Sequence, residues 1–184
     1  KKKFIGFTLD VPQFHIPKGF ATALIGENGA GKTTLMNILA GIRLDYKGEL
    51  TYFGQYHDKD REENPIVKEQ YAYTGPGTYY LPQWTVGQIR NLNQLLFENF
   101  HEDRFEKLCE RLAVGGEGNV SGKKVRSLSD GNKMKLMIAS ALARDTKLLM
   151  MDEPASPLDP LMRDCLCSLI REYLAENEGE NSVF

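Results

Sequence analysis

Two short apolar runs, residues 20–26 and 147–154, have the pattern of buried strands, and a glycine-rich segment follows the first and an acidic pair the second. Residues 20–26, FATALIG, are short, apolar and bounded by glycines, which predicts a buried strand. Residues 32–42, KTTLMNILAGI, have the period of an amphipathic helix, and Gly41 stands where such a helix would stop. The predicted buried face of this helix consists of Leu35, Met36, Ile38 and Leu39. Residues 147–154, KLLMMDEP, again have the pattern of a buried strand, here ending in two acidic residues.

Helical patterns dominate the middle of the chain. Residues 86–100 and 102–114 each predict a helix, and a third strong helix opens at residues 128–132, LSDGN. Ser129 or Asp130 would cap its N-terminus. The apolar positions of this third helix are Leu136, Ile138, Ala139 and Leu142.

Weaker patterns complete the predicted elements. Residues 48–55, GELTYFGQ, alternate like an edge strand of an antiparallel layer. Residues 71–73 predict a short strand, and the last helix extends from about residue 160 to 177. Residues 182–184 start another apolar run, and a strand of only three residues is expected to bury little and to pair poorly.

A glycine-rich segment joins the first predicted strand to its helix. Residues 26–33, GENGAGKT, fit the phosphate-loop pattern G-x-x-x-x-G-K-[ST] at every fixed position. Consecutive N–H groups of such a loop bind phosphate oxygens, and the helix N-terminus adds partial positive charge. Lys32 would contact the β- and γ-phosphates, and the Thr33 hydroxyl would bind Mg²⁺. The predicted nucleotide-binding residues of the loop are Gly26, Glu27, Asn28, Gly29, Ala30, Gly31, Lys32, Thr33 and Thr34.

The acidic end of the second strand predicts the other half of this site. In phosphate-loop enzymes a strand beside the loop ends in an aspartate that helps to hold Mg²⁺, and Asp152 fits that role. Glu153 follows and would orient or deprotonate the attacking water. Taken alone, residues 152–154, DEP, are equally typical of a strand end with a turn. The phosphate loop upstream makes the magnesium interpretation the better one.

Composition limits the other classes of function. The 184 residues are enough for one domain, and the net charge of −2 suggests neither nucleic acid nor anionic lipid as an obligatory partner. No apolar run approaches the ~20 residues of a membrane span. The three cysteines suit a reducing compartment better than a disulfide framework, and the three histidines give no metal-binding spacing.

The order and spacing of GENGAGKTT, LSDGN, LLMMDEP and SPLD resemble the ATP-binding-cassette (ABC) ATPases over almost the whole chain. Of the family signature L-S-G-G-Q, residues Leu128, Ser129 and Gly131 match, whereas Asp130 and Asn132 depart from it. The later S-[AGT]-L-D pattern is matched by Ser156, Leu158 and Asp159, with Pro157 as the departure.

The resemblance implies a fold, a reaction and a dimer. The fold class is α/β: a P-loop NTPase core with a mainly parallel sheet, a small antiparallel β layer and an inserted helical subdomain. The core would comprise residues 1–84 and 139–184, with the helical subdomain at 85–138. Two cassettes would pack head to tail, so that Ser129 and Gly131 of one chain face the ATP held by the other. Asp159 is expected to belong to the same nucleotide site, and Asp130 would place a carboxylate near the γ-phosphate unless its side chain turns away.

Members of the family also have a glutamine that contacts Mg²⁺ and the attacking water. Counting back from WTVGQIRNL, which resembles the start of the family's following helix, places Pro76 at that position. We therefore expect this loop to be degenerate at residues 74–80, TGPGTYY, with Gln83 as the alternative glutamine.

Both ends of the chain depart from the family pattern. In the family the final strand continues to a histidine that contacts the γ-phosphate, and none of the three histidines lies there. In the family an aromatic residue that stacks on adenine precedes the phosphate loop, at a spacing that corresponds to a position close to or before Lys1. Phe4 is a poor candidate for this aromatic residue. These departures predict a cassette truncated at both ends, with impaired ATP hydrolysis.

The functional prediction is a cassette that binds and hydrolyses ATP with Mg²⁺ and powers transport through a separate membrane-spanning partner. The lysine-rich helix KVRSLSDGNKMKLMIASALA looks like those of bacterial ABC-2-type exporters, so export is the expected direction. The expected place is the cytoplasm, peripheral on the inner face of the cell membrane through the partner, with no nucleic acid bound. The alternatives are a soluble ABC-type ATPase and a nucleotide-dependent regulator.

Overall fold

A three-stranded parallel sheet lies at the centre of the protein. The computed structural model describes residues 1–77, 79–116 and 118–184. The sheet has the order β5-β6-β7, formed by Tyr71–Thr74, Leu148–Met151 and Ser182–Val183. Two separate antiparallel hairpins pair β1 (Lys2–Phe4) with β2 (Phe7–Leu9) and β3 (Thr51–Tyr52) with β4 (Tyr56–His57). The predicted α/β class with a parallel sheet and small antiparallel pieces is confirmed.

The α-helices surround this sheet in the chain order expected from the sequence. They are α1 (Lys32–Leu39), α2 (Asp58–Glu63), α3 (Pro65–Glu69), α4 (Val86–Leu96), α5 (Glu102–Arg111), α6 (Asp130–Leu142) and α7 (Pro160–Ala175). Short 3₁₀ turns cover Val125–Ser127 and Asn177–Gly179. Throughout the described ranges, no helix is both long and apolar enough to cross a membrane.

Strand β6 separates two apolar clusters. All four of its residues are buried, because successive side chains of a strand point to opposite faces of the sheet and both faces are covered. Leu149 and Met151 belong to the cluster that also contains residues of α4 to α7. Leu148 and Met150 pack with residues of α1, such as Met36 and Leu39, on the opposite face. The acidic pair that follows β6 therefore leaves a strand that is fixed on both sides.

The first predicted strand is wrong for most of its length. Residues 20–26 form only an isolated parallel bridge, Ala21 to Val183, with Thr22 N donating to Val183 O at 2.8 Å and Val183 N donating to Phe20 O at 3.0 Å. Beyond Thr22 the segment is exposed, and Ile25 keeps 90% of its accessible surface. The apolar pattern therefore predicted pairing that only residues 20–22 make. The predicted edge strand at 48–55 is likewise reduced to the two residues of β3.

The expectation for residues 182–184 is also wrong. Ser182 and Val183 form β7, which pairs in parallel with β6, and Phe184 is buried with them. Phe184 N donates to Leu149 O at 2.9 Å, and Met151 N donates to Phe184 O at 2.7 Å. This short run pairs well because it lies between β6 and residues 20–22, so both of its edges are hydrogen-bonded.

The helix predictions agree closely with the structure. Ser129 caps α6, as one of the two predicted alternatives, and α6 is buried continuously from Leu136 to Leu142. Thr85 caps α4 through a reciprocal pair of bonds with Gln88. Helix α1 ends at Leu39, slightly before the predicted end, and Gly41 has the left-handed φ of +74° expected after a helix.

One buried arginine joins α6 to the end of α3. Arg144 is 7% exposed, its Nη2 donates to Lys68 O at 3.0 Å and to Glu69 O at 3.2 Å, and its guanidinium lies 3.5 Å from the centre of the Phe97 ring. Burial lowers the pKa of Arg144 to about 10. The charge is retained at neutral pH because two carbonyls and an aromatic face replace the lost water.

We expect Arg144→Ala to lower the free energy of unfolding by roughly 2–4 kcal/mol, because two carbonyls lose their donor and the ring contact disappears. The matched control is Arg111→Ala, which removes an exposed pair with Glu172 and should cost less than about 1 kcal/mol. Urea unfolding curves of the two variants measure the difference. Equal costs would show that Arg144 does not hold these elements together.

Candidate nucleotide-binding site

The glycine-rich loop turns tightly before α1. Ala30 N donates to Glu27 O at 3.2 Å, and Gly29 and Gly31 have φ values of +84° and +98°. This left-handed region favours glycine. At Gly31 space is also lacking, because an added Cβ would lie 3.0 Å from the Phe7 ring. The loop conformation thus depends on glycine at both positions.

The loop and α1 together present positive charge. Lys32 Nζ donates to Gly26 O at 2.7 Å and to Glu27 O at 2.9 Å, so the lysine is folded across the loop. The first turn of α1 has no acidic residue and no side-chain cap. Its N–H groups are therefore available to an anion, and the helix dipole favours negative charge there.

A cavity of about 620 Å³ lies over the loop. It is lined by Phe4, Phe7, Asn28, Gly29, Gly31, Lys32, Thr33, Thr34 and Glu153. Glu153 has a left-handed φ of +51°, a conformation that costs free energy in a residue with a side chain and is common at functional sites. The structure therefore brings the predicted catalytic acid to the same cavity as Lys32 and Thr33.

Sequence reasoning underestimated the aromatic wall of this cavity. Phe4 and Phe7 lie on β1 and β2, with ring centres 6.1 Å apart and planes inclined by 27°. Phe4 is 38% exposed and Phe7 36%, so each keeps part of its ring open to solvent. The available signal was the pair of aromatic residues on either side of the Ile5–Gly6 turn of a short hairpin.

Asp152 has an unsatisfied buried oxygen. The residue is 4% exposed, and its Oδ2 has no hydrogen-bond partner in the part of the chain that the structure describes. Its backbone N donates to Thr74 O at 2.8 Å, which holds it beside β5. A buried carboxylate oxygen without a partner fits a cation ligand. Mg²⁺ takes few protein ligands and completes its shell with water and substrate phosphates, so Asp152 and the Thr33 hydroxyl suit it.

The signature residues form a separate unit at the start of α6. Ser129 Oγ accepts from Asn132 N at 3.3 Å, and Asn132 Oδ1 accepts from Gly115 N at 3.0 Å. A Cβ added to Gly131 would lie 2.8 Å from the carbonyl oxygen of Pro157. Asn132, which departs from the family pattern, thus anchors the preceding loop, and Gly131 allows two backbones to touch.

The departure at Asp130 is partly compensated within its own helix. Lys133 Nζ donates to Asp130 Oδ1 at 2.9 Å, and the aspartate side chain is 89% exposed. The carboxylate is therefore paired with a lysine one turn along α6. The exposure of the pair means that the attraction is weak and screened by salt.

The segment after Glu153 connects it to α7. Ser156 N donates to Glu153 O at 3.1 Å, and Leu158 is buried. Asp159 caps α7, with its Oδ1 accepting from Met162 N at 3.0 Å. Asp159, predicted to contact the nucleotide, therefore caps α7 in this chain.

The structure does not bring all predicted site residues together in one chain. Asp152, Ser129, Gly131 and Asp159 are absent from the described lining of the cavity over the loop. Neither Pro76 nor Gln83 lines it, and both are exposed. The described cavity therefore holds the phosphate loop and Glu153 but not the signature residues.

Fold and site together define a P-loop nucleotide-binding protein of the α/β class. A sequence profile described as "ABC transporter" matches residues 9–156, which is most of the chain. The protein belongs to the ABC transporter family.

Named relatives support this assignment at moderate identity. The chain is 29% identical to the tungstate uptake system ATP-binding protein TupC of Peptoclostridium acidaminophilum, over 94% of the chain and 78% of the relative. It is 31% identical to the thiamine import ATP-binding protein ThiQ of Histophilus somni, over 89% and 75%. It is 30% identical to human ATP-binding cassette sub-family A member 6 over 89% of the chain, but spans only 10% of that protein.

Solved structures show the same fold. A dimeric post-hydrolysis structure of the ATP-binding cassette MJ0796 with ADP and Pi has a TM-score of 0.74 at 20% identity, over 92% of this chain and 75% of that one. A structure of an ATP-binding subunit of an ABC transporter has a TM-score of 0.73 at 26% identity, over 92% and 69%.

We expect Gly131→Ala to lower the free energy of unfolding by about 1–3 kcal/mol, because its Cβ would press on the Pro157 carbonyl. Gly122→Ala is the control, since no atom of the described residues lies within 4 Å of the position that its Cβ would take. Thermal and urea unfolding compare the two. A Gly131→Ala protein as stable as the control would mean that the two backbones are free to move apart.

Proposed function

We propose that the protein is an ATP-binding and ATP-hydrolysing cassette that powers transport through a separate membrane-spanning partner. The observation that carries this proposal is the cavity shared by the phosphate loop and Glu153. A carboxylate beside a phosphate-binding loop suits the attack of water on a terminal phosphate rather than storage of a nucleotide. The dimeric cassette that binds ADP and Pi supports the same chemistry by its fold.

Phosphate binding would use the loop amides, the start of α1 and Lys32. When ATP enters, Lys32 exchanges the carbonyls of Gly26 and Glu27 for phosphate oxygens, which gives charge-assisted hydrogen bonds. Asp152 and Thr33 would hold Mg²⁺, which supplies charge neutralisation on the phosphates. The Phe4 and Phe7 rings would offer a face on which the base stacks.

Hydrolysis would depend on Glu153. Its place in the cavity allows the carboxylate to accept the proton of a water that attacks the γ-phosphate. The left-handed backbone at this residue fixes the direction of the side chain from a strand that is buried on both faces.

A head-to-tail dimer would complete the site. Ser129 and Gly131 do not line the described cavity of their own chain, which suits contact with the ATP of a second cassette. The ion pair with Lys133 reduces the repulsion that Asp130 would otherwise exert on that ATP.

This proposal also includes the membrane-spanning partner, the direction of transport and the location of the protein in the cell. The chain spans 63% of one staphylococcal relative and 10% of the human one. The chain would divide into a core at 1–84 and 139–184 and a helical subdomain at 85–138. We also keep the predicted peripheral location on the inner membrane face, with no nucleic acid bound.

Export remains a prediction from the signature helix. Two of the relatives named above are uptake or import proteins, so the comparisons do not support export over import. Reconstitution of the protein with a membrane subunit in vesicles, with ATP on one side only, would give the direction of substrate movement. The soluble ATPase and the regulator are the alternatives if no membrane subunit stimulates hydrolysis.

Lys32→Ala should weaken ATP binding by about 10- to 100-fold, because a charged hydrogen-bond donor to phosphate is lost. Titration calorimetry measures the affinity. Lys18→Ala, which removes an exposed lysine paired with Glu180, is the control and should bind as the wild type does. Unchanged affinity in Lys32→Ala would overturn the assignment of the loop.

Glu153→Gln should reduce hydrolysis by about 10²- to 10⁴-fold while ATP binding persists, because the amide cannot accept the proton. In the full-length protein we expect ATP to be retained and a dimer to accumulate, as measured by light scattering. Glu178→Gln is a matched control, since Glu178 is another exposed glutamate, with a φ of +58°. Wild-type turnover in Glu153→Gln would assign the role to another residue.

A further inference from the structure

The side chain of Asn132 links the start of α6 to the loop after α5. Its Oδ1 accepts from Gly115 N at 3.0 Å. Its Nδ2 donates to Ser129 Oγ at 3.2 Å, and its backbone N donates to the same oxygen at 3.3 Å. Gly115 is also held through its carbonyl, because Lys123 Nζ donates to Gly115 O. The amide of Asn132 therefore lies between a tethered loop and the Ser129 hydroxyl.

The contact with the loop determines which way this amide faces. A backbone N–H group can only donate, so the atom of Asn132 that faces Gly115 N is the side-chain oxygen. The side-chain nitrogen is then the atom that faces Ser129 Oγ. An aspartate at this position would keep an acceptor for Gly115 N but would have no donor for Ser129.

The Ser129 oxygen accepts two hydrogen bonds from this one residue. A hydroxyl has two acceptor lone pairs and one proton, and the two nitrogens of Asn132 occupy both acceptor positions. Ser129 is exposed, and among the described residues no atom accepts its proton. Bonds accepted by an oxygen polarise its O–H group and strengthen the bond that this group donates. The start of α6 thus presents an outward hydroxyl donor that suits an anion.

We propose that Asn132 is a positioning residue for the contact between Ser129 and the γ-phosphate of the ATP bound by a second cassette. The inference rests on the proposed function, in which Ser129 faces that ATP. Asn132 fills the acceptor positions of the hydroxyl and so directs its proton towards the phosphate. Although Asn132 departs from the family signature, it acts on the site through Ser129 without touching the nucleotide.

The experiment measures ATP-dependent dimer formation of the full-length protein in a Glu153→Gln background, by light scattering. Asn132→Asp keeps the shape of the side chain and the acceptor for Gly115 N, but its second oxygen takes the Ser129 proton. We expect the ATP concentration for half-maximal dimer formation to rise about 10- to 100-fold, because the hydroxyl no longer donates to a charged phosphate.

Asn119→Asp is the matched control. Asn119 lies in the loop that leads to the signature, its Oδ1 accepts from Ser121 N at 3.0 Å, and the substitution adds the same charge. The control should form the dimer at the ATP concentration of the background protein. In both variants the affinity for ADP, measured by titration calorimetry, and the urea midpoint should be unchanged, because ADP has no γ-phosphate for Ser129 to contact.

A double-mutant cycle separates action through Ser129 from the effect of the added charge. In a Ser129→Ala background there is no hydroxyl to orient, so any loss that Asn132→Asp still causes there comes from the charge alone. We expect the effect of Asn132→Asp to be about 10-fold smaller in that background. Asn132→Ala, which adds no charge, is the second variant and should depend on Ser129 in the same way.

The possible outcomes separate the two proposals. If the Glu153→Gln protein binds ADP but forms no dimer with ATP, the proposed head-to-tail site is wrong, and the role of Asn132 is wrong with it. If the dimer forms and Asn132→Asp matches Asn119→Asp, only the role of Asn132 is overturned. If both Asn132 variants lose as much in the Ser129→Ala background as without it, Asn132 does not act through Ser129 and the inference is again wrong.

Discussion

The parallel pairing of β6 fixes the chemistry of this molecule. Four buried residues, hydrogen-bonded to β5 on one side and to β7 on the other, hold the strand so that its carboxyl end can present Asp152 and Glu153 without moving. If the strand were paired on only one side, the acidic residues at its end would adopt many conformations. Here the entropy of ordering the buried Asp152 side chain is lost during folding rather than during binding of the nucleotide.

Sequence patterns predicted the parts whose local chemistry is strong. The glycine pattern of residues 26–33, the capped helix at Ser129 and the apolar strand before Asp152 each contain their own signal, and the structure has a loop, a helix and a strand at these places. Residues 20–26 misled because an apolar run predicts a buried strand, whereas only the stretch around Ala21 is bridged to Val183 and Ile25 stays 90% exposed. Residues 182–184 were expected to pair poorly because the run is short. They pair well because β6 and residues 20–22, both distant in sequence, lie on either side of them.

Contacts across the fold explain what the patterns could not show in the site. Phe4 and Phe7 reach the cavity only because a hairpin packs on Gly31, and the aromatic pair beside the Ile5–Gly6 turn indicates a hairpin without indicating where it packs. Tyr73 has the alternation of an ordinary core residue, and its bond to Asn37 and its close approach to Gly75 are seen only in the folded chain. The role of Phe4 and Phe7 remains a proposal, whereas the positions of all three aromatic residues follow from packing.

The contact between Gly131 and Pro157 has a consequence for a pair of cassettes. One backbone belongs to the unit that we propose to face a second chain, and the other belongs to the segment that leaves Glu153. With no side chain between them, movement of one towards the other would press directly on its backbone. In a dimer, each nucleotide would therefore act on the hydrolytic segment of the chain that does not bind it through its loop. Thermodynamic linkage makes such an effect reciprocal, so occupancy at either site would change affinity at the other by the same factor.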